Sequence, residues 1–256
     1  MSLQVRVADQ VLHVDNSRDA TEARVHKYDA FLNLISGDEY AFQRVAVREA
    51  WRFLVSDKYP DLERLARENW SDCELIRQKY GSVDAFLGRM QLRDKKALSL
   101  DLATGTGKSY VMYALAAMAL ADGLVDRVLV LCPSLTIEDG LLEKFRAFIG
   151  TQELAQIMRE LDAVVPIPGL KRGNETVHPG DMCIENVHAV YENAGSSIAD
   201  SFHGQGERTL VLNDEAHHLF SPDDSDKAVM RKWLQFLLSE EYGFRYIVNV
   251  TGTACV

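Results

Sequence analysis

The chain is short of the features that mark several protein classes. Its four cysteines, Cys73, Cys132, Cys183 and Cys255, are widely spaced and form no C-x-x-C pair. That argues against a zinc module or a disulfide framework and suits a reducing cytoplasm, with the thiols filling apolar space. No run approaches the ~18 apolar residues that span a bilayer. The opening Met1-Ser2-Leu3-Gln4-Val5-Arg6 lacks the charged-then-apolar layout of a secretory signal. A cytoplasmic location and no membrane partner are therefore expected. Internal repeats and low-complexity tracts are absent. Positive charge is also scarce, with 28 Lys and Arg against 38 Asp and Glu and a net charge of −10. A duplex-binding face usually shows as a basic patch. Any nucleic-acid contact here must be local, through a few amides, hydroxyls and arginines in a groove.

What is present is an ordinary globular composition, 47% apolar and 26% charged over 256 residues. Residues from about 18 to 95 read as helical. Apolar side chains recur at helical spacing in Tyr28, Phe31, Leu32 and Ile35, and again in Ala46, Ala50, Phe53 and Leu54. Ser36-Gly37-Asp38 separates these two helices, Pro60 opens a third, and Ser82 with Ala85 caps a short fourth. From Ala97 the pattern changes. Short apolar runs (97–102, 128–132, 182–187, 209–213 and 246–250) alternate with helical stretches (110–121, 137–148 and 227–238). Continuously apolar runs are what strands covered on both faces require. The expected fold class is α/β: a mostly parallel sheet over 96–256, preceded by a helical N-terminal region over 1–95.

Asp101-Leu102-Ala103-Thr104-Gly105-Thr106-Gly107-Lys108-Ser109 follows the first predicted strand and opens a helix, the context a phosphate loop needs. Gly105 and Gly107 let successive amides turn inward, and the helix N-terminus adds partial positive charge. Lys108 would reach the β- and γ-phosphates of ATP, and Ser109 would place its hydroxyl on Mg²⁺. Leu102 stands where the usual pattern has glycine or alanine. The alternative is a glycine-rich turn with no ligand, which leaves the lysine unexplained.

A second constellation, Thr209-Leu210-Val211-Leu212-Asn213-Asp214-Glu215-Ala216-His217-His218, puts two carboxylates at the end of an apolar run, at the strand edge where open sheets bind ligands. Asp214 can hold Mg²⁺. Glu215 can accept a proton from the water attacking the γ-phosphate. A third piece, Thr251-Gly252-Thr253-Ala254, ends the next apolar run, and His217 is a natural hydrogen-bond partner for Thr251 and Thr253.

With these three motifs in order, the sequence resembles the first motor domain of superfamily-two, DEAH-type helicases, closest to the Res subunits of type III restriction systems. The resemblance rests on 103–109, Leu131-Cys132-Pro133-Ser134-Leu135, Glu185-Asn186-Val187-His188 and 214–218, and covers about 96–256. It implies a RecA-like phosphate-loop fold binding ATP and Mg²⁺, with DNA as partner and a modification methyltransferase as a further subunit. Pro133 and Ser134 would then line the nucleic-acid groove, with a plain helix cap as the alternative. The basic stretch Lys171-Arg172-Gly173-Asn174 is either a phosphate contact or a solvated loop. Phe42-Gln43-Arg44 resembles the motif in which a glutamine reads adenine, although Gln43 lies far upstream of Lys108 and residues 59–94 would be a helical insertion. The sequence ends just after the third motif, so a second motor domain is not expected within it, and turnover by this domain alone should be slow. A different class, a nucleotide-binding interaction module with little ATPase activity, is the competing expectation.

Overall fold

The computed structural model describes residues 12–15, 19–37, 40–103, 105–192, 197–216 and 227–252. Among the described residues, six α-helices precede the first strand: α1 (Asp19–His26), α2 (Asp29–Ile35), α3 (Ala41–Val55), α4 (Leu62–Asp72), α5 (Glu74–Tyr80) and α6 (Val83–Leu87). Four were expected. The chain turns at Tyr28, whose ring is fully buried and meets Trp51 edge-on, so α1 and α2 separate around a core aromatic. Cys73 is extended and parts α5 from α4. Asp61, one residue past Pro60, caps α4 by accepting from Arg64 N at 2.8 Å. Ser82 caps α6 as expected, accepting from Ala85 N at 3.2 Å.

Beyond residue 95 come β1 (Lys96–Asp101), α7 (Lys108–Ala121), β2 (Arg127–Cys132), α8 (Leu135–Ile149), α9 (Gln152–Glu160) and β3 (Gly169–Arg172). Then follow β4 (Asp181–Asn186), α10 (Val187–Glu192), α11 (Ile198–Phe202), β5 (Thr209–Asp214), α12 (Lys227–Leu238) and β6 (Tyr246–Thr251). The strands form one sheet in the order β1-β6-β5-β2-β4-β3, and every pairing is parallel. Parallel pairing forces crossovers, and the helices cover both faces. One face packs on α7, α8 and α9 together with α1 to α3, the other on α11 and α12. Every residue of β5 and β6 is accordingly buried.

The N-terminal helices share the core of the sheet: Val25, Tyr28, Trp51 and Leu54 belong to the same apolar cluster as Val111, Leu115 and Met118 of α7. Lys96 fastens this layer. It is 4% exposed, and its ammonium donates to the carbonyls of Leu54 at 2.9 Å and Ser56 at 2.6 Å, closing the C-terminal end of α3. Burial pushes its pKa down to about 8.

Candidate functional site

Strand order brings three motifs to one edge. β1, β6 and β5 are neighbours, and their C-terminal ends carry Asp101, Thr251 and Asp214. Two backbone bonds stitch the ends together: Leu102 N donates to Thr251 O at 2.8 Å, and Ala216 N donates to Val250 O at 3.1 Å. Leu102, the departure from the usual phosphate-loop pattern, is buried in the core beneath the loop.

The loop then turns through Gly105 (φ +82°) and Gly107 (φ +79°), left-handed conformations that glycine adopts without a Cβ clash. A Cβ on Gly107 would stand 2.5 Å from Gln43 Nε2 and 3.1 Å from the Tyr110 ring. Thr106 tightens the turn, its Oγ1 donating to Ala103 O at 2.6 Å. Gly107 gives α7 no side-chain cap, so the first-turn amides of the helix have no partner of that kind. Gln43, at the start of α3, donates from Nε2 to Thr106 O at 2.5 Å although 63 residues separate the two. Its distance in sequence from Lys108 is therefore no obstacle: α4 to α6 loop out between them.

Two buried side-chain polar atoms lack a hydrogen-bond partner among the described residues, and both are at this loop: Ser109 Oγ and Gln43 Oε1. Ser109 is 5% exposed and Gln43 3%.

Asp214 is 6% exposed and its Oδ1 accepts from Glu215 N at 3.0 Å. Burial pushes its carboxyl up to about 6, against the opposing pull of Lys108, while Glu215 adds to the rise. Glu215 takes φ +51°, a conformation costing a non-glycine residue ~1–3 kcal/mol. Its carboxylate forms an ion pair with Lys108 Nζ, so the strained turn aims the acid across the loop. This is the kind of strain that collects at working sites.

The remaining expected residues are spread wider. Ser134 caps α8, its Oγ accepting from Ile137 N at 3.4 Å, and Pro133 beside it is half-exposed. Thr104, His217 and Thr253 lie outside the described residues. The basic loop is corrected in part: Gly169–Arg172 is the edge strand β3, and its charges are engaged. Arg172 donates to Glu138 at 3.2 Å and to Asp139 at 2.5 Å, and Lys171 lies 3.7 Å from Glu175. Behind it, Asn186 Nδ2 donates to both Glu138 and Glu185, at 3.1 and 3.0 Å. Burial pushes Glu185 up to about 7.

A feature that the apolar runs concealed is a row of polar side chains across the sheet. Trp233 Nε1 donates to Asn213 Oδ1 at 3.0 Å, Asn213 Nδ2 to Asn249 Oδ1 at 2.8 Å, and Asn249 Nδ2 to Ser99 Oγ at 3.4 Å. The signal was an asparagine inside each of two otherwise apolar strands, Thr209–Asp214 and Tyr246–Thr251.

An all-parallel sheet with a glycine-turned lysine loop on one strand and an Asp-Glu pair two strands away is a RecA-like α/β arrangement. The chain belongs to the family of the type III restriction enzyme res subunit, which matches residues 42–254. Among solved structures, it is similar to the UvsW helicase from bacteriophage T4, at 13% identity and a TM-score of 0.36 over 66% of this chain and 51% of that one. A second T4 UvsW structure gives 12% identity and a TM-score of 0.39, over 66% of this chain and 29% of that one. The chain thus spans about half or less of those helicases. No curated protein matches it.

Proposed function

We propose that this chain is the ATP-binding motor domain of a DNA translocase, a Res-type subunit of a type III-like restriction system. The observation that carries this reading is the pair of orphaned buried atoms, Ser109 Oγ and Gln43 Oε1, flanking a loop that presents backbone amides. Buried polar atoms almost always find partners, and two exceptions at one loop mark a place where a ligand completes the bonding.

The residues fit Mg·ATP. Ser109 and Asp214 offer the hard oxygen donors that Mg²⁺ takes. The amides of Gly105 and Gly107 would face phosphate, joined by Thr104 and by Thr106 on release of Ala103 O, to which the Thr106 amide donates at 3.2 Å. Lys108, paired with Glu215 in the free protein, would reach the β- and γ-phosphates. When bound, Mg²⁺ neutralises charge that builds on the phosphate oxygens. Glu215 would accept the proton of the attacking water. Gln43 Oε1, buried without a partner, would accept from the adenine amino group, where guanine has a carbonyl, and so favour ATP over GTP. His217 would bridge Thr251 and Thr253, coupling the nucleotide state to a groove that Pro133 and Ser134 would line. DNA translocation and docking on a modification methyltransferase belong to the whole protein, with 1–95 as a helical region beside the 96–256 motor domain.

The test is steady-state phosphate release by the full-length protein with and without duplex DNA. DNA-stimulated turnover supports the translocase. Tight nucleotide binding without turnover under either condition refutes it and leaves an interaction module.

A further inference from the structure

The row Trp233–Asn213–Asn249–Ser99 has no part in the chemistry above, yet it is built with care. Asn213 and Asn249 are direct register partners, as are Asn249 and Ser99, so the three side chains stand at one level on adjacent strands. Asn213 is fully buried, Asn249 nearly so, and Trp233 of α12 is buried against the same face. An indole N–H can only donate, so Trp233 fixes the orientation of the Asn213 amide, which in turn fixes that of Asn249. Burying polar groups here is costly compared with the valines and leucines around them, and apolar residues of similar volume would fill the space at least as well. What the polar row adds is direction: hydrogen bonds of this kind specify one arrangement where apolar packing tolerates several. Its position is also informative. Asn213 immediately precedes Asp214, Asn249 lies two residues before Thr251, and Ser99 sits on the strand that runs into the phosphate loop.

We propose that Trp233, Asn213 and Asn249 are positioning residues that tie the Asp214–Glu215 turn to β6 and to α12, so that Mg·nucleotide bound at Asp214 is felt at the Trp233 indole. This rests on the reading of Asp214 given under Proposed function.

The test uses the protein labelled with ¹⁵N. Its three tryptophans give three indole N–H resonances, and that of Trp233 is the one lost in Trp233→Phe. Saturating Mg·ADP should move the Trp233 resonance and leave that of Trp70, on α4, in place. Trp233→Phe keeps an aromatic side chain but removes the indole donor and part of the ring volume; it should weaken Mg·ADP binding about tenfold, the worth of one buried hydrogen bond. A triple variant, Trp233→Phe with Asn213→Leu and Asn249→Leu, removes the buried row without orphaning any of its buried partners. It should keep the wild-type melting temperature while binding as weakly. An unmoved Trp233 resonance while Mg·ADP still raises the melting temperature would overturn the positioning role alone. So would wild-type affinity in Trp233→Phe. No rise in melting temperature with Mg·ADP would overturn the nucleotide site and this inference together.

Discussion

Replacing Lys96 by methionine should remove a rise in stability that the wild-type protein shows at alkaline pH. Lys96 is buried, and burial holds its pKa at about 8 against an ordinary 10.5. The folded value lies below the unfolded one, so between these pH values the unfolded chain binds more protons and stability climbs as pH rises. One pKa unit corresponds to ~1.36 kcal/mol, which makes the full climb ~3 kcal/mol and the portion between pH 7 and 9.5 ~2 kcal/mol. Methionine keeps the stem packed and carries no proton, so this increment should vanish. Buried Tyr28, Tyr113, Cys132 and Cys183, whose acidities burial pushes the other way, lower stability with pH in both proteins and cancel in the difference. The assay is urea unfolding of both proteins at pH 7 and 9.5, comparing extrapolated free energies. Parallel pH dependences would refute the reasoning, since Lys96 would then not be buried against the end of α3.

Three further outcomes are expected. Glu215→Gln removes the charge that holds Lys108, so Mg·ATP should bind at least as tightly by calorimetry while phosphate release falls by about 10²–10⁴; unchanged release would remove Glu215 from the mechanism. Gly107→Ala forces a Cβ into left-handed backbone against Gln43, and nucleotide affinity should drop about 5- to 150-fold, the equivalent of ~1–3 kcal/mol of strain; wild-type affinity would show that the loop does not keep this shape with ligand bound. Ser134→Ala deletes the cap of α8 and should cost ~1 kcal/mol in thermal unfolding; no loss would mean that the hydroxyl serves elsewhere.

Much of this architecture was legible because its signals are local. Strands covered on both faces are mostly apolar, and β2, β4, β5 and β6 announce themselves that way despite the buried Glu185, Asn186, Asn213 and Asn249. The glycine turns of the loop before α7 are equally plain, since only glycine passes through φ +82° and +79° without strain. β3 was hidden because an edge strand of four residues is half-exposed and carries Lys171 and Arg172, the charges that guard sheet edges. Those charges read as a loop poised for phosphate until their carboxylate partners are seen. α10 and α11, at six and five residues, are too short for periodicity to register. Gln43 could be recognised as a motif, but its contact with Thr106 depends on α4 to α6 looping out. The polar row shows a similar limit: asparagines are visible in two strands, whereas their common level on one face exists only once β5 and β6 pair.

The most direct measurement is calorimetric titration of Mg·ADP into the wild-type protein and into Lys108→Ala. The account predicts saturable one-site binding to the wild type that weakens when Mg²⁺ is chelated, because Ser109 and Asp214 lose their cation, and that is abolished in Lys108→Ala. Absence of binding at millimolar Mg·ADP, or equal affinity in the two proteins, would contradict the assignment of residues 103–109 and Asp214 as a nucleotide site.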